Sequence, residues 1–470
     1  MQAMTPALDP APAPSRPATL RQALAAAGPR PGAAFLAPGA SVPLARMLDG
    51  SVLGPDRARL AGRAVLLTTT GQLPASLALI DLDGLAGRIV VCPPDLSPEH
   101  YASVMADAAI DTIVTDRDPA ELAGLPSVAV HRCDHAVAPR QDAMPSLPAT
   151  EWVLATSGTS GAPKLVSHTL AALTGAILPV APDRPLVWGT FYDIRRYGGL
   201  QIFLRAVMAG CTLVLSAPGE ALPDHLTRLD AAGVTHLSGT PSHWRRLLMS
   251  AEVGAIRPAV VRLSGEIADQ AVLDGLAEAY SAASIGHAYA STEAGVCFEV
   301  GDGREGFPAA TLDRDGPCAL RIQDGALLLR SNRMATRYLG EGAAPLRDPD
   351  GYFDSGDMVE LRGDRVHFVG RRGGIINVGG LKVHPEEIEA VINRHAAVRM
   401  SLVKSRRSPI MGAVVVAELV LEPGSDPEAV RGAVMAACRA TLPVHKVPAT
   451  LKVVAALDVT AAGKLSRSAA

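Results

Sequence analysis

Thr156-Ser157-Gly158-Thr159-Ser160-Gly161-Ala162-Pro163-Lys164 follows the apolar run Trp152-Val153-Leu154-Ala155. Two glycines leave backbone exposed, four hydroxyl side chains add donors, and Lys164 closes the stretch with a positive charge. Turned backbone N–H groups and hydroxyls of this kind form an anion-binding concavity, which suits a polyphosphate. The stretch is not a Walker A loop, because Pro163 stands between the second glycine and the lysine. The rival reading is an ordinary Gly/Ser connection between a strand and a helix. The ordered hydroxyls and the Pro-Lys ending favour the phosphate reading.

Upstream, Val65–Thr68, Arg88–Cys92 and Thr112–Thr115 are short β-rich runs separated by helical segments such as Pro98–Ala109. This alternation predicts a sheet with parallel strands. Ser97 before Pro98 is the expected helix cap. At 470 residues, with 48% apolar and 19% charged, the chain reads as globular and too long for a single core. The formal charge of −3 gives no electrostatic case for nucleic acid or an anionic membrane. No apolar run reaches the ~18 residues of a spanning helix. Six scattered cysteines without a Cys-x-x-Cys pair suggest free thiols in a reducing, cytoplasmic setting. Residues 1–18 read as a disordered Ala/Pro tail.

Further motifs follow in order. Leu263-Ser264-Gly265-Glu266 reads as a strand end meeting a tight turn, and strand ends facing a crevice are where α/β sheets place ligands. Gly286-His287-Ala288-Tyr289-Ala290-Ser291-Thr292-Glu293 comes next; as an isolated string its Ser-Thr-Glu is a helix N-cap. Asp354-Ser355-Gly356-Asp357 has an ordinary hairpin turn as its rival reading. Gly370-Arg371-Arg372-Gly373-Gly374 contains paired glycines that tolerate wide φ and ψ changes. Gly463-Lys464 stands near the end of the chain.

With the opening loop, these motifs resemble, in order, those of the adenylate-forming superfamily: acyl-CoA synthetases, aryl-acid ligases, peptide-synthetase adenylation domains and firefly luciferase. The resemblance covers roughly Trp152 to Arg467. It implies an α/β fold: a large N-terminal domain with parallel-rich sheets (19–370), a hinge (371–374, with Gly373 and Gly374), and a small mobile C-terminal α+β domain (375–470). By resemblance, Thr156, Ser157, Gly158, Thr159, Ser160, Gly161 and Lys164 hold ATP phosphates, and Thr292 contacts the α-phosphate. Ser264, Gly265 and Glu266 lie against adenine, Tyr289 stacks on it, and Asp357 and Arg371 contact the ribose. Glu293 holds Mg2+, Lys464 acts in adenylation, and Gly379, Gly380 and Lys382 border a thiol tunnel. Ala290 stands where the family usually has glycine, and Gly373-Gly374 where it has an aspartate or lysine.

Phe191-Tyr192-Asp193-Ile194-Arg195-Arg196-Tyr197 falls where relatives border the acyl pocket, which makes Tyr192, Arg196, Tyr197 and Ala288 the pocket candidates. Arg195-Arg196 has two readings: a solvated surface pair, or cations facing a substrate carboxylate or ATP. Asp193 lies near the place where amino-acid-activating members hold the α-amine. The implied reaction joins a carboxylic acid to ATP, giving an acyl-adenylate and pyrophosphate, then passes the acyl group to a thiol with release of AMP. Coenzyme A is the favoured acceptor, with Lys404-Ser405-Arg406-Arg407 a basic cluster able to meet its phosphates; a solvated loop is the other reading. A carrier protein's phosphopantetheine acting in trans, a luciferase-like oxygenase and a catalytically silent nucleotide-binding homologue stay as alternatives. No nucleic-acid or membrane partner is expected, and the acid itself is unspecified.

Overall fold

The computed structural model describes residues 18–122, 124–140, 148–156, 163–181, 185–312, 316–408, 412–460 and 464–465. Two large sheets form its centre. One has eight strands, with Val187–Thr190, His236–Gly239, Val260–Ser264 and Ser284–Ser291 running parallel side by side. The other has seven, built on the parallel set Arg88–Val91, Ala64–Leu67, Thr112–Thr115 and Ala129–Arg132. The alternating β-rich and helical segments of the sequence therefore become parallel strands.

Helix Gln72–Leu82 is packed on almost every side, with ten buried residues including Leu77, Leu79 and Ile80. It shares one apolar core with Phe35, Val65, Ile89, Trp152 and the helix Tyr197–Met208. A helix enclosed this way needs no polar face, so its sequence carries no amphipathic signal. Trp152 donates Nε1–H to Asp83 Oδ1 (2.9 Å) and Leu20 N–H donates to Oδ2 (2.7 Å). Burial nevertheless pushes the Asp83 carboxyl up to about 6.

A five-stranded antiparallel sheet, containing Phe353–Arg362 and Arg365–Arg371, closes the large domain. The small domain has its own core of Ile376, Val383, Ile388, Val403, Leu419, Val434 and Cys438. Its helix Pro427–Thr441 is capped by Asp426, whose carboxylate accepts from Glu428 N–H (2.9 Å). Among the described residues no helix is long and apolar enough to cross a membrane.

Several local expectations are corrected. Ser97 does not cap a helix: its hydroxyl turns to Glu99, a 3-10 turn covers Pro98–His100, and the helix proper is Tyr101–Asp107. Asp354–Asp357 is not a hairpin turn but lies within the strand Phe353–Arg362. Lys404–Arg407 is strand and not loop, part of Val398–Ser408, with Lys404 Nζ 3.0 Å from Glu418.

Candidate active site

Strand Glu151–Thr156 pairs antiparallel with Lys164–His168, Thr156 opposite Lys164. The Gly/Ser stretch therefore joins two strands of a hairpin and not a strand to a helix. Ser157, Gly158, Thr159, Ser160 and Gly161 lie outside the described residues. Lys164 Nζ stands 5.3 Å from the centre of the Tyr338 ring, a cation–π distance. Tyr338 hydroxyl donates to Glu293 Oε1 at 3.3 Å. Strand Arg337–Leu339 runs beside Lys164–His168, and this pairing gathers Lys164, Tyr338 and Glu293.

Ser291–Glu293 does not start a helix. Ser291 Oγ accepts from Ala294 N–H (3.0 Å), forming a turn into the strand Gly295–Val300. The Glu293 carbonyl accepts from Ala335 N–H (2.9 Å), which holds the turn against the next strand pair. His168 is buried against the Thr292 backbone, and burial holds its imidazole down at about 4, hence neutral. Ala290 sits at a register shift in the strand and needs no left-handed backbone, so glycine is not required there.

Tyr289, Asp357 and Arg371 meet. Tyr289 hydroxyl donates to Asp357 Oδ2 (2.5 Å), and Arg371 Nε donates to Oδ1 (2.7 Å). Phe298 and Phe368 lie parallel to the Tyr289 ring at 5.5 and 5.2 Å. Tyr289 therefore belongs to an aromatic stack of the protein's own, an arrangement absent from the sequence reading.

Gly265 has a φ of +89°, which only glycine adopts without strain. A Cβ there would lie 3.4 Å from Lys464 Cε and 3.8 Å from Nζ. The adjoining helix, Pro241–Leu248, starts with a reciprocal cap: Thr240 Oγ1 accepts from His243 N–H and His243 Nδ1 accepts from Thr240 N–H, both at 3.1 Å. Such a cap is worth about 1 kcal/mol. It presents Ser242 N–H (2.9 Å) and hydroxyl (3.0 Å) to the Glu266 carboxylate. Glu266 Oε1 also accepts from Leu465 N–H at 3.1 Å, which brings the end of the chain into the cleft.

Around the Lys464 ammonium stand Glu266, Asp357, Arg371 and Arg196. Burial together with Arg371 and Arg196 outweighs the two carboxylates and lowers its pKa from the usual lysine value.

The arginine pair divides. Arg195 is 2% exposed; it grips both Asp193 oxygens (2.8 and 2.6 Å) and the carbonyls of Thr69 and Thr70. The solvated-pair reading fails for it, and Asp193 is already neutralised. Arg196 pairs with Asp95 beside Lys464. Tyr197 is buried and Tyr192 half-buried, Tyr192 hydroxyl donating to the Ser264 carbonyl (2.8 Å), while Ala288 is the strand partner of Ser264. Gly379 and Gly380, both with positive φ, form the two-residue turn of the hairpin Ile376–Val378/Leu381–Val383. They and Lys382 are exposed.

The AMP-binding enzyme family model matches residues 84–323, and the model for the AMP-binding enzyme C-terminal domain matches 387–464. The chain belongs to this family, the adenylate-forming superfamily, whose shared chemistry is formation of an acyl-adenylate from ATP. Among curated proteins it is 27% identical over 358 residues to the 2-succinylbenzoate–CoA ligase of Salmonella typhimurium, covering 73% of each chain. It is also 27% identical over 446 residues to the non-ribosomal peptide synthetase CmlP of Streptomyces venezuelae, covering 87% of this chain and 44% of that one. The anthranilate CoA ligase AuaEII, solved with anthranoyl-AMP, shares its fold: TM-score 0.75, 18% identity, 95% of each chain.

Proposed function

We propose that this protein activates a small carboxylic acid with ATP, releasing pyrophosphate, and transfers the acyl group to a thiol, coenzyme A before any other, releasing AMP. The observation that carries the reading is the Lys464 ammonium, brought by the Leu465–Glu266 contact beside the Asp357–Arg371 pair. A carboxylate and the α-phosphate repel each other as they converge, and fixed cations lower that barrier. Asp357 and Arg371 are suited to ribose hydroxyls and Thr292 to the α-phosphate.

The residues fit a magnesium ion bound jointly with nucleotide phosphates. Glu293 has one long hydrogen bond on one oxygen, and among the described residues no three His, Cys, Asp or Glu side chains form a cage. Magnesium is commonly held by one or two carboxylates and substrate phosphates. Glu293 would hold it, and it would supply charge neutralisation at the phosphates.

The domain limits at 370 and 375, and rotation about Arg371–Gly374, belong to the same proposal. Turning the small domain would withdraw Lys464 and bring Gly379, Gly380 and Lys382 toward the thiol's path. The grip of Arg195 on Asp193 weighs against an α-amino acid as substrate. A carrier-loading role is the second reading, favoured by the long alignment with a peptide synthetase.

The test is pyrophosphate exchange over a panel of acids, followed by thioester formation with free coenzyme A or a phosphopantetheinylated carrier. Exchange with no acid overturns the activation step; thioester on the carrier alone overturns coenzyme A. Arg196→Ala should lower exchange about ten- to hundredfold for every acid alike, since Arg196 faces Asp95 and Lys464. Loss confined to diacids would instead put Arg196 in the acid pocket.

A further inference from the structure

We propose that Arg205 and Arg262 form the far end of the acid pocket, and that the acid activated here carries a second anionic group such as a carboxylate. This rests on the adenylation reading and narrows its substrate class. Side chains alternate along a strand, so Arg262 points to the same side of Val260–Ser264 as Ser264. The next strand sets Ala288 beside Ser264 and Gly286 beside Arg262, and the one after sets Glu299 beside Ala288. Small residues thus line the way from Ser264 to Arg262, whose Nη1 lies 3.5 Å from where a Gly286 Cβ would be. Lys464 sits at the Gly265 end of this path. Gly265 is three residue steps along the chain from Arg262, about 10 Å at ~3.3 Å per residue.

Two guanidiniums face one carboxylate at the far end, where Arg262 Nη1 also donates to the carbonyls of Val261 (3.0 Å) and Ser284 (2.7 Å). Glu299 is 3.6 Å from Arg205 Nη2 and 3.8 Å from Arg262 Nε, both beyond hydrogen-bond length. Arg333 donates Nη1 to the Val296 carbonyl (3.1 Å), while its Nε is buried without a hydrogen-bond partner among the described residues. His236 adds no charge, held at about 4 by burial and by Arg262 and Arg205. Burial lowers the pKa of Arg205 as well, Glu299 and Tyr197 raising it and Arg262 and Arg333 lowering it further. Arg205 is the more enclosed of the two cations, and a partly desolvated cation without a close hydrogen-bonded carboxylate is costly. A second carboxylate on the acid would fill that place and can accept two parallel N–H bonds from an arginine.

The experiment compares pyrophosphate exchange for glutarate, adipate and pimelate with monocarboxylates of equal length, and isophthalate and terephthalate with benzoate. Diacids are expected to exceed matched monoacids at least tenfold in kcat/KM. In Arg262→Met the diacid should lose about 30-fold or more, chiefly through KM, taking the ratio toward one. Arg262→Lys and Arg205→Lys, which keep the charge, should retain part of the preference, with thermal melts establishing that each variant folds. Equal use of both acid types, preference for monoacids, or an unchanged ratio in a folded Arg262→Met overturns this inference alone. Exchange with no acid overturns the adenylation reading and this inference together.

Discussion

Lys464→Ala is expected to lower adenylation by about 10³-fold while leaving conversion of a supplied acyl-adenylate to thioester near its normal rate. The lysine sits with Glu266, Asp357, Arg371 and Arg196, where it can offset the charge of two converging anions. Removing one such preorganised group typically costs ~10²–10³ in rate, and here the group is a full charge. Once the adenylate exists, that charge has no further task, so the loss should fall on one half-reaction. Arg371→Ala, which breaks the 2.7 Å contact with Asp357, should impair both steps more evenly. Stopped-flow measurement of each step separates the two variants. Equal slowing of both steps by Lys464→Ala would falsify the assignment of the lysine to one conformation.

Glu293→Gln should reduce pyrophosphate exchange about 10²–10³-fold. The amide can still accept from the Tyr338 hydroxyl through its oxygen, and the Glu293 carbonyl keeps its bond from Ala335 N–H, so the turn should persist. Only the negative charge disappears. The half-saturating concentration of Mg2+ should therefore rise, which a titration at fixed ATP measures. An unchanged Mg2+ requirement with full exchange would remove Glu293 from the metal.

What the sequence made legible was local. Asp357 and Arg371 are 14 positions apart, and each stands in a short string that resembles a motif of the superfamily, so both could be nominated before their contact was seen. Tyr338 could not be: it reaches Glu293 and Lys164 only because Arg337–Leu339 lies beside Lys164–His168, a pairing of segments about 170 residues apart. Phe298 and Phe368 were unreadable for the same reason, since a parallel ring stack on Tyr289 needs three separate strands. The parallel strands showed as β-rich runs, whereas the enclosed helix Gln72–Leu82 had no polar face to mark it. Arg195 and Arg196 look equivalent as a dipeptide. Backbone direction alone turns one inward to Asp193 and the other to Asp95.

The contact at Glu266 has a consequence for what the end of the chain must encode. Of the residues near the end of the chain, the carboxylate meets the main-chain N–H of residue 465 and not its side chain. It therefore measures where the chain is and ignores which amino acid stands there. Nineteen of the twenty residue types carry that donor; proline alone lacks it. At Glu266 the address of Lys464 is written in backbone, so this one contact survives any residue at position 465 except proline.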